Sequence, residues 1–180
     1  DGKNYRNTKT GKLYSRVTSI LSADETAGDR FDSNSPWVLP LTNIGTSVDE
    51  FVRDFFAGNL KESYPNATKE QWNKFAEQLQ ILKNRFEAAG IHIVPRDIVA
   101  AGTLQIADAK ENIHDVNVAG TLDLLAYNDK GEFFVFDMKT LHNSNSIESK
   151  KHKWGQQTSL YQKFLENEFG IKVKGRFIIP

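Results

Sequence analysis

The sequence predicts an α/β fold, a central mixed sheet of four to five strands flanked by helices. Two segments of helical period close on glycines, two β-rich runs are joined by a turn tetrapeptide, and a third long helical segment leads into a final strand. The 180 residues suit a single domain. A hydrophobic content of 39% is enough for one core and excludes wholesale disorder.

Residues 1–16 are basic, with Lys3, Arg6, Lys9, Lys12 and Arg16 against Asp1, and end in a short β-like run from Leu13 to Val17. Residues 22–36 are acidic and turn-rich and read as a loop. Residues 46–57 place Val48, Phe51, Val52, Phe55 and Phe56 on one helical face, with Ser47 and Glu50 spaced as a capping box and Gly58 as the stop. A second helix opens at Thr68, with Gln71 three residues on, buries Trp72, Phe75, Leu79, Leu82 and Phe86, and closes at Gly90. Short strands are expected at 91–95 and 98–106, then a polar connection from Asp108 to Asp115. Residues 116–127 and 132–140 read as a hairpin across Asn128-Asp129-Lys130-Gly131. A helix from about Ile147 or Lys150 to Glu168 and a strand over 171–179 complete the order.

Lys plus Arg and Asp plus Glu both number 23, so no global field draws the chain to nucleic acid or to an anionic membrane, and any polyanion site must be local. No stretch approaches the roughly 18 consecutive apolar residues of a spanning helix and no leader opens the sequence, which points to a soluble, cytoplasmic protein with no membrane partner. The absence of cysteine removes disulfides, thiolate zinc sites and an iron–sulfur cluster. The chain begins at Asp1 and its single methionine is Met138, so a segment excised from a longer protein is expected.

Chemistry concentrates in Gly120-Thr121-Leu122-Asp123 and Phe136-Asp137-Met138-Lys139. A three-residue loop, Asp129-Lys130-Gly131, with Gly131 at the left-handed bulge position, pairs Asn128 with Glu132. That register sets Asp123 opposite Asp137 and Thr121 opposite Lys139, all on one face. Val116, Val118, Leu122, Leu124, Phe134, Phe136 and Met138 then share the other face as core, while Ala119, Leu125, Phe133 and Val135 accompany the carboxylates. Two carboxylates about 5 Å apart in Cβ on a covered face repel one another and lose hydration. A divalent cation compensates both, since Asp oxygens are the hard ligands that Mg²⁺ and Mn²⁺ prefer. Lys139, about 7 Å along the strand from Asp137, faces the same cavity with an ammonium suited to a phosphate oxygen or an attacking water. The competing reading makes Asp137-Met138-Lys139 a solvated strand end, with Asp123 answered by Lys139 as a diagonal ion pair.

These segments resemble the RecB-like branch of the PD-(D/E)xK nuclease superfamily. The resemblance rests on Gly120-Thr-Leu-Asp123, the hairpin, Phe136-Asp137-Met-Lys139-Thr140, and Gln157-Thr-Ser-Leu-Tyr161 on the following helix. Upstream, Arg16-Val17-Thr18-Ser19-Ile20-Leu21 and Gly45-Thr-Ser-Val-Asp49 look like the family's early motifs. It implies a restriction-endonuclease-like core over residues 1–180 and a Mg²⁺-dependent deoxyribonuclease, most readily an exonuclease, acting in repair, recombination or mobile-element and phage processing.

The same resemblance implies that Asp123, Asp137 and the Met138 carbonyl hold Mg²⁺, which Mn²⁺ can replace, and that Lys139 orients or deprotonates the water. Gln157 and Tyr161 would position the DNA, with Lys150, Lys151 and Lys153 on its phosphates and Trp154 available for stacking. The motif proline is Leu122 here, and Asp49 stands where the family often has His. Asp49 is therefore a candidate metal ligand, or a first-turn carboxylate serving the helix dipole, and Asp97 a candidate extra acidic residue. His92, His114, His142 and His152 show no metal-ligand spacing, although His142 could flank the site. A helicase or other recombination protein on a separate chain or a missing segment is the expected partner, since no G-x-x-x-x-G-K-[ST] loop is present. An RNA-directed or structure-selective nuclease, or a non-catalytic nucleic-acid-binding or assembly module on the same fold, are the alternatives.

Overall fold

The structure, a computed structural model, describes residues 4–21, 38–108, 110–139 and 145–179. In chain order the elements are β1 (Asn4–Arg6), β2 (Leu13–Arg16), α1 (Val17–Leu21), α2 (Val38–Ala57), α3 (Lys69–Ala88), β3 (Ile91–Ile93), β4 (Ile98–Ala107), β5 (Ile113–Leu122), β6 (Leu124–Asn128), β7 (Phe133–Met138), α4 (Asn145–Phe169) and β8 (Val173–Ile179). The class is the expected mixed α/β. The strands, however, form two four-stranded mixed sheets, β1-β2-β5-β4 and β3-β6-β7-β8, in place of one central sheet. The cause is local: the run expected as one strand over 116–127 is interrupted at Asp123, so β5 joins the first sheet and β6 the second. Each sheet carries one parallel pair, β2 with β5 and β7 with β8.

The hairpin has the expected register, from Leu124 opposite Phe136 to Tyr127 opposite Phe133, and Gly131 turns it at φ +73°. The ladder ends at Leu124–Phe136, so Asp123 and Asp137 are not ladder partners, nor are Thr121 and Lys139. Thr121 pairs with Val99 of β4 instead, and the Lys139 amide donates to the Ile179 carbonyl.

The break at Asp123 also changes which residues share a face, correcting the single apolar face expected above. Val118 and Leu122 pack with Leu125 and Val135 against Tyr161, Phe164 and Leu165 of α4. Leu124, Ala126 and Phe136 pack on the other side, against Phe51 and Val52 of α2 and Trp72, Leu79 and Phe86 of α3. Two cores therefore meet at one residue of irregular backbone, and that residue is the first aspartate of the motif.

Helix α3 starts as expected, with Thr68 as N-cap and a reciprocal capping box to Gln71. Helix α2 does not. It begins two turns earlier, at Val38, with Pro40 among the first four positions, where a missing amide proton costs nothing. Ser47 is thus no cap but a buried interior residue whose hydroxyl accepts from Asn66 Nδ2 at 2.8 Å, and Asp49 and Glu50 lie beyond the first turn. The 108–115 connection is shorter than expected: Asp108 ties Lys110 and Asn112 into a tight turn, and β5 starts at Ile113. Helix α4 starts at Asn145, and the basic N-terminal run contains a strand, β1, that its composition concealed. The expected loop over 22–36 and His142 lie outside the described residues.

Candidate functional site

Seven elements converge on a cleft of about 510 Å³. Helix α2 contributes Asp49 and Arg53, the end of β5 and the break contribute Thr121 and Asp123, β7 leads to Lys139, α4 brings Lys150, Trp154, Gln157 and Tyr161, and β1 adds Tyr5. A larger hollow of about 860 Å³, on another face of α4, is lined by no carboxylate among the described residues. Charge and hydrogen bonding single out the smaller one.

Asp137 is 1% exposed. Its Oδ1 accepts from Gln157 Nε2 at 3.3 Å, and the Lys139 ammonium stands 2.7 Å from its Oδ2. That second contact is an ion pair without hydrogen-bond direction, so Oδ2 is buried with charge compensation but no oriented donor. Lys139 therefore pairs with Asp137 rather than forming the diagonal pair with Asp123. Gln157 also donates from Nε2 to the Tyr161 hydroxyl at 3.0 Å and accepts at Oε1 from Lys139 Nζ at 3.4 Å. One α4 amide side chain thus ties acid, ammonium and phenol together.

Asp123 uses Oδ2 to accept the Met138 amide proton at 2.7 Å, closing the gap where the ladder stops. Burial holds its carboxyl above the ordinary range, against the pull of Lys139 and the Met138 amide. Burial likewise raises Asp137 to about 6, opposed by Lys139 and reinforced by the charges of Asp123 and Asp49. Asp49 also rises to about 6, through burial first and then the charge on Asp123. Three carboxylates, from α2, the β5–β6 break and β7, thus share one field, with Lys139 and Arg53 as the cations that offset it. Tyr161, buried and 3% exposed, has its phenol pushed up by desolvation and remains a neutral hydrogen-bonding group.

Among the described residues, no three His, Asp or Glu side chains form a ready-made cation cage. The donor set still fits Mg²⁺, which is commonly held by one or two carboxylates with water and substrate phosphate completing its shell. Asp123 and Asp137 supply hard oxygens, the Asp137 Oδ2 lacks an oriented donor, and burial raises both carboxyls by withholding the hydration that a bound cation would replace. Asp49 faces the same cleft from α2.

The remaining expected site residues separate. Lys150 lines the cleft, whereas Lys151 lines the larger hollow and Lys153 lines neither. Trp154, expected to offer a stacking face, is buried in the cleft wall with 8% of its surface exposed. Asp97 pairs with Arg53 Nε at 3.2 Å, its side chain 65% exposed, and lines an adjoining hollow that also touches Asp123. Both early motifs reach the cleft, through Arg16, Val17 and Thr18 and through Gly45, Thr46 and Asp49.

Two residues escaped sequence reading. Arg53, one helical turn beyond Asp49, bears electrostatically on Asp49 and Asp123; the i, i+4 spacing on α2 was the available signal. Tyr5 accepts the Thr121 amide proton at 3.3 Å and lies 3.2 Å from the Thr121 hydroxyl, with Arg16 over its ring. No local pattern links positions 116 residues apart.

No protein-family model matches the chain, and a search of curated proteins finds no match.

Proposed function

We propose that the cleft is the active site of a divalent-metal-dependent deoxyribonuclease on a restriction-endonuclease-like core of the RecB-like kind. The observation that carries this reading is the Asp123–Asp137–Lys139 constellation: two buried carboxylates with raised proton affinity, an ammonium 2.7 Å from one of them, and a glutamine joining them to a tyrosine. A structural ion pair does not require a second buried acid beside it, whereas metal-dependent phosphodiester hydrolysis uses anionic ligands for the ion together with a cationic group near the attacking water.

Asp123 and Asp137, with the Met138 carbonyl, would hold Mg²⁺, and Asp49, on the same cleft, would join them. When bound, the ion supplies Lewis-acid polarisation of the phosphate and neutralises charge on the leaving oxygen. Lys139, seated between Asp137 and Gln157, orients the attacking water by donating from Nζ. Gln157 fixes the Asp137 carboxylate through Oδ1 and the Tyr161 hydroxyl through the same amide nitrogen. Lys150 and Arg16, on the cleft wall, meet backbone phosphates.

The test is a matched pair of variants. Asp123→Ala and Lys139→Ala, each purified folded, lose Mg²⁺-dependent cleavage of linear DNA. Cleavage at the wild-type rate by either one removes the assignment. Loss of cleavage in every form, with tight DNA binding, moves the function to a binding or assembly module on the same fold.

A further inference from the structure

Helix α2 presents two charged side chains to the cleft, Asp49 and, one turn on, Arg53. Residues four apart share a helix face, so the acid and the guanidinium are neighbours on that wall. The adjoining hollow of about 230 Å³ places the arginine further. Arg53 and Asp123 are the two residues that line both spaces, so they stand where the cleft and the hollow meet. Asp97 lines the hollow rather than the cleft and lies 3.2 Å from Arg53 Nε, tethering the guanidinium from that side. The acid expected as an extra site carboxylate is thus spent on a cation.

A guanidinium does not lose its proton in a protein, so this wall carries a permanent positive charge beside Asp49 and Asp123. Lys139 is its counterpart on the Asp137 side, 2.7 Å from Oδ2. Against burial, Lys139 and Arg53 are the cations that draw the proton affinity of Asp49 and Asp123 back down. Three ionised carboxylates against these two cations leave one negative charge. One divalent ion and one phosphodiester anion bring the balance to zero. A second divalent ion would add two positive charges without partners, in a buried setting that screens them poorly. Where two metal ions clamp a phosphate, the second supplies positive charge that this chain already carries on a side chain.

We propose that Arg53 stands in for a second metal ion, so that each cleft takes one divalent cation. The inference rests on the reading of the cleft as a nuclease site and deepens it. Arg53, on the same wall as Asp49, joins the single ion in neutralising the phosphodiester, through a planar fork of N–H donors that matches phosphate oxygens. Asp97 is a positioning residue that holds this fork at the margin of the cleft.

The test counts the Mn²⁺ ions bound by the full chain at about pH 7.5, with free Mn²⁺ read by electron paramagnetic resonance. The wild type is expected to hold one Mn²⁺ per chain, and Asp123→Ala to lose it. Arg53→Met keeps much of the length of the side chain and removes its charge, and should take up a second ion. Arg53→Lys, which restores the charge, should return the count to one. Arg53→Gln serves in place of Arg53→Met if that variant does not fold. Two ions in the wild type, or a single ion in the folded uncharged variant, overturn the proposal and leave the nuclease reading standing. The absence of any ion that depends on Asp123 overturns both.

Discussion

The ring of Tyr161 lies directly on the backbone of Gly120: a Cβ there would stand 2.6 Å from both the Tyr161 Cε1 and its hydroxyl oxygen. Gly102, on the neighbouring strand, admits Phe164 in the same way, since a Cβ at that position would lie 2.3 Å from the ring. The two glycines let α4 settle onto β4 and β5, and that depth brings Gln157 within reach of Asp137.

Gly120→Ala should accordingly act on catalysis through position. The new methyl displaces Tyr161, and with it Gln157 and the hold on Asp137. DNA cleavage is expected to fall by about tenfold or more, the loss that small misplacements of a reacting group commonly bring, with a native circular dichroism spectrum and a lowered melting temperature. An unchanged rate would show that Tyr161 position does not matter to the site.

Removing a site carboxylate should leave the metal-free fold at least as stable. Asp123 is buried, and loss of hydration raises its proton affinity in spite of Lys139 and Arg53, so its ionised form is held at a desolvation cost. Asp123→Asn keeps the shape and removes the charge. Metal-free melting at pH 7 should match or exceed the wild type while cleavage is lost, and a marked fall in melting temperature would speak against this view of the cluster.

Stability without metal should rise on mild acidification. Asp49 and Asp137 bind protons more tightly folded, near 6, than at their ordinary 3.8. A raised acid contributes stability fully below its unfolded value and loses it as pH climbs through the folded value. The window runs from about 4 to 6. Asp108, lowered to about 2 by hydrogen bonds from His114 and Asn112, acts oppositely, losing its contribution as pH falls from 3.8 through 2, below this window. Thermal melts in EDTA should therefore give a higher midpoint at pH 5 than at pH 7.5, Asp49→Asn should flatten the difference, and Mg²⁺ should stabilise most at the higher pH. The same slope in Asp49→Asn would place the effect elsewhere.

The lysines of α4 should divide as the structure divides them. Lys150→Ala is expected to weaken single-stranded DNA binding and reduce the slope of log affinity against log salt by about 0.7, the value for one lost phosphate contact. Lys151→Ala, on the larger hollow, should leave that slope unchanged. Equal effects from both would mean that DNA follows α4 rather than the cleft.

Much of the fold was legible because local rules and tertiary packing agree. Thr68 and Gln71 cap α3 as their spacing indicates, and Gly131 sets a register that holds from Leu124–Phe136 onward. Ser47 misled because its spacing to Glu50 imitates a cap, while its hydroxyl is spent on Asn66. The change of face at Asp123 was invisible because alternation presumes continuous strand, and nothing in Leu122-Asp123-Leu124 signals a switch of sheet. Asp123, Asp137, Lys139, Gln157 and Tyr161 were readable as a motif on one hairpin and one helix face. Arg53 and Tyr5 reach the cleft only through long-range packing, which short patterns do not encode.

The decisive experiment incubates the wild type with end-labelled linear single- and double-stranded DNA and with closed circular DNA, in Mg²⁺, Mn²⁺ or EDTA. A metal-dependent nuclease site at Asp123, Asp137 and Lys139 predicts loss of linear DNA that EDTA abolishes and Lys139→Ala lacks, with the label pattern showing whether an end is required. Intact DNA in Mg²⁺ and in Mn²⁺, or cleavage that persists in EDTA, would rule that site out.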